Sequence, residues 1–250
     1  MKTLFKILAG LAVVLLIVIV VGVLNLDKGI KAIVETVGPE LTKSSVTLRD
    51  VDLSLTSGEG SLFGLVVGNP AGFKTKNAFS LGEISLAIDP ASITTDTIII
   101  NSIRIIAPEI TYESLKGGTN LDQLQKNVEQ AIGASSGGAA TETKGGDEEA
   151  SAKKLIIRDL TITGGKISYS NALLGSRSIS LPLPPLHLTG IGEKSGGASA
   201  GEVVNQVLGA INKSAASAVT NSGALKDTAE QVKKSVKEKL SGWTATFKKD

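Results

Sequence analysis

Residues Ile7 to Leu24 (ILAGLAVVLLIVIVVGVL) are 18 consecutive apolar or glycine residues, and no charged side chain stands between Lys6 and Asp27. Wound as a helix at about 1.5 Å per residue, the run is roughly 27 Å long, close to the hydrocarbon thickness of a bilayer. Gly10 and Gly22 are compatible with this, since glycine is common in membrane helices. A cleaved signal peptide is the competing reading, because Lys2 and Lys6 resemble an n-region. Signal h-regions run to about 7–15 residues and end at small residues. Here the run is longer and closes on Val21-Gly22-Val23-Leu24-Asn25, a poor cleavage site. The sequence therefore predicts an uncleaved anchor over residues 1–26, represented by Ile7, Leu15 and Leu24. Lys28 and Lys31 nearly balance the positive charge before the run, so the short n-region sets the orientation. The N-terminus stays in the cytoplasm and the chain after Leu26 is exported.

About 220 residues follow, enough for one or two small domains. Their composition excludes several classes. Net charge is +2 and aromatics are 3% of the chain, so neither a basic field nor a stacking platform for nucleic acid is present. Cysteine is absent, which suits an exported chain without disulfides.

The first folded segment spans residues 27–132. Ile30, Ile33, Val34 and Val37 fall at helical spacing, so Asp27 to Leu41 reads as a short helix punctuated by Gly38-Pro39. Strands follow. Val46, Leu48, Val51, Leu53 and Leu55 alternate, with a phase slip at Arg49-Asp50 that suggests a bulge. Leu62 to Val67 is a second run, ended by Gly68-Asn69-Pro70. Leu81, Ile84, Leu86 and Ile88 mark a third, stopped by Asp89-Pro90. Ile98, Ile100, Ile103 and Ile105, then Ile110 and Tyr112, mark two more. Leu121 to Ile132 is helical in pattern, with Asn120 as the expected N-cap.

Residues 133–152 read as a disordered linker. Fifteen of the 20 are Gly, Ala, Ser or Thr, too little apolar surface to offset ordering entropy. A second β segment spans residues 153–192 and repeats the first. Ile99-Ile100-Asn101-Ser102-Ile103-Arg104-Ile105 matches Ile156-Ile157-Arg158-Asp159-Leu160-Thr161-Ile162, and Ile110 and Tyr112 match Ile167 and Tyr169, at one offset of 57. Each copy reads as a hairpin with one apolar face, turning at Ala107-Pro108-Glu109 or Gly164-Gly165-Lys166. Both copies are expected in one sheet, with Ile103, Ile105 and Ile110 facing the same interior as Leu160, Ile162 and Ile167. Leu181-Pro182-Leu183-Pro184-Pro185-Leu186 is confined to a sheet edge or a crossover. Residues 193–250 read as a flexible joint and an amphipathic helical tail. One stripe holds Val204, Leu208, Ile211, Ala215 and Val219; another holds Leu225, Ala229, Val232, Val236 and Leu240. The fold class is thus mainly β with α: an N-terminal transmembrane helix, a curved antiparallel sheet or groove of β-hairpin units, and C-terminal amphipathic helices.

Residues that could carry chemistry are sparse. His187 is the one histidine and sits beside the proline run, so no histidine-based metal site is expected. Asp147-Glu148-Glu149 lies on the Gly-rich stretch, where nothing positions a carboxylate for acid–base work. Nucleotide-binding and nucleophile-elbow motifs are absent. The sequence predicts neither enzyme activity nor a cofactor. The aliphatic alternation is what remains. It either fills an ordinary β core or lines a groove for acyl chains.

The order of these elements resembles the AsmA-like family of bacterial envelope proteins. The resemblance rests on Leu48-Arg49-Asp50-Val51-Asp52-Leu53, on Gly64-Leu65-Val66-Val67-Gly68-Asn69-Pro70-Ala71-Gly72-Phe73, on Leu86-Ala87-Ile88-Asp89-Pro90, and on the repeated unit, from about Lys28 to Leu188. It implies an inner-membrane anchor, a periplasmic β domain and a part in lipid handling or envelope maintenance. Larger members are similar to bridge-like lipid-transfer proteins, and this chain is much shorter. The partners implied are membrane lipids, with other envelope proteins or further copies of the chain beside them. The six residues Ile103, Ile105, Ile110, Leu160, Ile162 and Ile167 would line the groove. A structural or partner-binding domain with a closed β core and no ligand is the alternative.

Overall fold

A computed structural model describes residues 26–54, 56–137, 153–171, 174 and 177–223. The apolar run with Ile7, Leu15 and Leu24, most of the expected linker, and the stripe from Leu225 onward lie outside the described residues. No helix among the described residues is long and apolar enough to cross a membrane.

Helix α1 (Leu26–Thr42) leads into strands β1 (Val46–Thr47), β2 (Asp50–Leu53), β3 (Glu59–Gly68) and β4 (Asn77–Ile88). Strands β5 (Thr97–Ile106), β6 (Glu109–Leu115) and β7 (Gly118–Thr119) precede helix α2 (Asn120–Gly137). Strands β8 (Lys154–Thr163), β9 (Lys166–Asn171), β10 (Ile179–Pro182) and β11 (Leu186–Ile191) complete the sheet, and helix α3 (Ala200–Asn221) follows. All eleven strands of the described residues join one curled, half-barrel-like sheet.

The repeated units are not hairpins. β5 and β6 both run antiparallel to β4, so they are one long strand with a break at Ala107-Pro108. β8 and β9 likewise form one strand broken at Gly164-Gly165, and the two long strands pair in parallel. Their register is the sequence offset itself: Ile103 stands beside Leu160, Ile105 beside Ile162, Ile110 beside Ile167 and Tyr112 beside Tyr169. Helix α2 lies in the crossover, as a parallel pair requires. The expectation of one sheet with one shared interior therefore holds, whereas the expected antiparallel hairpins give way to a strand–helix–strand unit.

The breaks align. One register holds on both sides of each, which sets Arg49, Gly64, Gly82, Ala107, Gly164 and Pro184 side by side across six strand positions. Three of them are left-handed: Gly64 (φ 63°), Ala107 (φ 49°) and Gly164 (φ 66°). Alternation slips by one residue at this line in every strand, so no strand gains a residue on its neighbour and the sheet creases along a single line. The slip foreseen at Arg49-Asp50 is the first member of the series, and the bulge expected there is absent, since β1 and β2 keep one register against β3. At the crease the side chains of neighbouring strands crowd together. A Cβ on Gly165 would come within 2.9 Å of the Leu183 side chain and 3.0 Å of Pro108.

The left-handed pair makes a testable contrast. Ala107→Gly is expected to raise the unfolding free energy by about 0.5 kcal/mol, because relief of left-handed strain exceeds the added chain entropy. Gly164→Ala has room for its methyl, with Ala107 N at 3.7 Å, but not the backbone freedom. It is expected to cost about 1 kcal/mol. Urea unfolding of the two variants measures both.

Local chemistry moves two helix boundaries. α1 continues through Pro39 to Thr42, where the Thr42 hydroxyl donates to the Gly38 carbonyl at 2.8 Å. Gly38-Pro39 is thus inside the helix rather than its end. At α2 the cap is Thr119, not Asn120. Thr119 Oγ1 accepts from Asp122 N (3.1 Å) and Asp122 Oδ2 accepts from Thr119 N (3.2 Å), a reciprocal box. α2 also extends to Gly137, into the first residues of the expected linker. The proline-rich segment lies at the sheet edge as foreseen, in β10 and β11.

Candidate functional site

Continuing the register from the crease outward gives four rows of side chains across six strand positions. The row Val46, Val67, Phe79, Ile110, Ile167 and Leu181 is followed by Leu48, Leu65, Leu81, Pro108, Gly165 and Leu183. Beyond the crease come Val51, Leu62, Ile84, Ile105, Ile162 and Leu186, then Leu53, Gly60, Leu86, Ile103, Leu160 and Leu188. Every position is aliphatic, Phe, Pro or Gly. The intervening positions are mostly polar, as in Asp52, Ser61, Ser85, Arg104, Thr161 and His187. The result is one unbroken apolar face and one largely polar face.

Two helices lie on the apolar face. α2 inserts Leu121 and Leu124 into the core, and its Val128 is fully buried as well. α3 packs on α2 and on β8, β10 and β11, burying Ile211, Ala215 and Val219. The six sequence-predicted lining residues divide accordingly. Ile110, Ile162 and Ile167 are sealed beneath the helices, Leu160 and Ile105 are buried, and Ile103 is half-exposed. In the fourth row Leu53, Leu86 and Leu188 are also half-exposed, and Leu160 is its buried member. The other rows hold half-buried members too, at Val67 and Leu181, Leu65 and Leu81, and Leu62 and Leu186, so the apolar face is sealed where the helices lie and partly open in every row.

A buried polar network fastens one end of this face, and the sequence reading missed it. Asn120 is wholly buried. Its Nδ2 donates to Asn69 Oδ1 (2.7 Å) and the Thr111 carbonyl (2.9 Å), while its Oδ1 accepts from Glu113 N (2.9 Å). Asn69 in turn donates to the Thr75 carbonyl at 2.9 Å. The Glu113 carboxylate accepts from Lys74 N (2.9 Å), Thr75 N (3.0 Å) and the Thr75 hydroxyl (2.6 Å). Burial alone pushes the Glu113 carboxyl up, but these donors outweigh it and hold the group below the usual carboxylate range. The network explains the Asn69-Pro70-Ala71-Gly72-Phe73 stretch, whose loop it clamps onto β6 and α2. The signal available in the sequence was Asn69 itself, with no indication of its partners.

On the polar face, His187 Nε2 lies 2.6 Å from Asp159 Oδ2, and both side chains are substantially solvated. An open depression of about 610 Å³ is lined by Asp52, Ser61, Ser85, Ser102 and Arg104. Another, of about 430 Å³, joins Lys74 and Arg177 to Thr111, Ser168 and Ser170. Among the described residues, no group of three His, Cys, Asp or Glu is placed to hold a metal.

A curled sheet with one continuous aliphatic face, creased along its length and partly covered by helices, defines a class of trough-shaped β proteins. Within it the assignment is specific. The sequence signature of the AsmA family matches residues 1–184, and the chain belongs to that family. No curated protein and no solved structure gives a match.

Proposed function

We propose that this protein is an envelope protein, held in the inner membrane by Ile7–Leu24 with its β domain in the periplasm, and that it handles phospholipid through the apolar trough. The observation that carries this reading is the four-row apolar face, unbroken by any polar side chain, whose members stay only half-buried at Leu53, Leu86, Ile103 and Leu188 in the outer row and at Leu62, Leu65 and Leu81 in the next two. Half-exposed aliphatics in a contiguous strip suit an acyl chain, which needs area and no hydrogen-bond partner. Family membership supports the same reading. The role is binding and positioning rather than chemistry, and no cofactor enters it.

A second reading is a closed core that serves partner binding alone. The sealing of Ile110, Ile162 and Ile167 under α2 and α3 favours it. The two separate in one experiment. The full chain is purified in detergent, exchanged into lipid nanodiscs and cross-linked to a phospholipid carrying a photoreactive acyl chain. Adducts on peptides containing Ile103 and Leu188 are expected. Adducts confined to the N-terminal apolar run would leave the closed core as the better account.

A further inference from the structure

We infer that helix α3 is an internal occupant of the trough, a plug that an acyl chain replaces. The inference rests on the lipid-handling reading above and says where the lipid sits: beneath α3, on the rows holding Ile162 and Ile167.

Four observations converge. First, α3 packs over β8, β10 and β11 of the apolar face, where Leu160 and Ile162 are almost fully buried. Second, much of its seat is made by small side chains. The sequence AGEVVNQVLGAINKSAASAVTN is rich in Ala, Gly and Ser; Ile211, Ala215 and Val219 are fully sheltered, and Val203, Val207, Leu208, Ala216 and Ala218 pack half-buried against the core. Such a helix is about 10 Å across, close to the width of two extended acyl chains laid side by side. Third, its seat is imperfect. Asn205 Oδ1 is buried and accepts no hydrogen bond, a defect that weakens the docked state. Fourth, its described backbone attachment to the sheet lies at its N-terminal end. Ala198 pairs with Leu155 through both backbone groups (2.8 and 2.9 Å), and Ser199 and Glu202 form a capping box at the α3 N-terminus. With that pair kept, the helix can leave the sheet as an intact rod by a backbone change at Ser199, between the pair and the first turn.

α2 differs in its fastening. It inserts Leu121 and Leu124 into the core, its first turn is tied into the Asn120 network, and Asn127 Nδ2 donates to the Thr42 carbonyl at 2.7 Å. α2 is the fixed wall and α3 the removable one. Asn212 Nδ2 ties the two together, donating to Asp122 Oδ1 at 2.8 Å and to Gln125 Oε1 at 3.4 Å. A chain end first contacts the face at its half-buried members, among them Leu53, Leu86, Ile103 and Leu188.

The absence of native cysteine makes the test direct. The full-length Asp122→Cys/Asn212→Cys protein is bridged with a short bis-methanethiosulfonate, which reductant removes, in phosphatidylethanolamine/phosphatidylglycerol nanodiscs doped with a diazirine-acyl phospholipid. Labelling of peptides containing Ile162 and Ile167 is expected to be at least ten-fold lower in the bridged form than after reduction. Equal labelling of those peptides in both forms would overturn the plug and leave lipid binding standing. Labelling of neither form would sink the lipid reading and the plug with it. A second measurement needs no lipid. The thiol of Val219→Cys is expected to react at least ten-fold faster than the domain unfolds globally, and reaction only at the global rate would show that α3 never leaves.

Discussion

Ile162→Asp is expected to unfold most of the protein, whereas Ile103→Asp is expected to leave it folded. Ile162 is 1% exposed, between Ile105 and Leu186 in the third row. Its replacement loses roughly 1.5–3 kcal/mol of burial and leaves a carboxylate among aliphatics. The combined cost is on the order of 5 kcal/mol, comparable to the whole stability of many domains. Ile103 is half-exposed in the outer row, where a carboxylate can reach water, so its cost is about 1–2 kcal/mol. Urea denaturation followed by circular dichroism compares the two. Similar mild effects at both sites would mean that the trough is wet throughout, and similar severe effects that it is closed throughout.

The second large effect concerns Glu113. Glu113→Gln keeps the shape of the side chain but replaces a charged acceptor of three donors by a neutral amide. The expected loss is about 2–3 kcal/mol at neutral pH. The same group sets the acid response. Its folded pKa is depressed, so its contribution is present above the unfolded value of about 4.3 and is lost as pH falls through the lower, folded value. Asp122 adds in the same sense. Burial raises its carboxyl, but the Asn212 side chain and Thr119 hold it below its ordinary range. Stability measured from pH 6 down to pH 2 should therefore fall steeply, with a shallower slope in Glu113→Gln. An unchanged slope would show that the carboxylate does not carry the acid response.

Much of the sheet was legible from period-two alternation, and the pairing sense was not. A turn of Pro and Gly between two aliphatic runs reads as a hairpin, and Ala107-Pro108-Glu109 and Gly164-Gly165-Lys166 have that chemistry. What distinguishes a crease is the phase on either side, from Ile103 and Ile105 to Ile110 and Tyr112, which repeats the slip at Arg49-Asp50. A constant 57-residue offset was itself the register of a parallel pair. Side-chain networks are less visible. Asn69 and Asn120 are 51 positions apart, and no local propensity marks a polar residue that will be buried with a partner. The α3 stripe of Ile211, Ala215 and Val219 was apparent from spacing, but spacing states that a helix has a face, not what the face rests on.

The two rims of the sheet fix how far the trough can reach. At one rim α1 takes up the free backbone groups: Glu35 Oε1 accepts from Leu48 N at 2.9 Å and Lys31 Nζ donates to the Arg49 carbonyl at 3.1 Å. At the other, Pro182, Pro184 and Pro185 withhold the donors that an added strand would need. Six strand positions at about 4.8 Å spacing give a span of roughly 24 Å from rim to rim. Strand addition is thus disfavoured at both rims near the crease, and docking copies edge to edge is a poor way to extend that distance. A longer conduit would have to be written into the gene, as another strand–helix–strand copy inserted between β9 and β10, each added strand widening the span by about 4.8 Å.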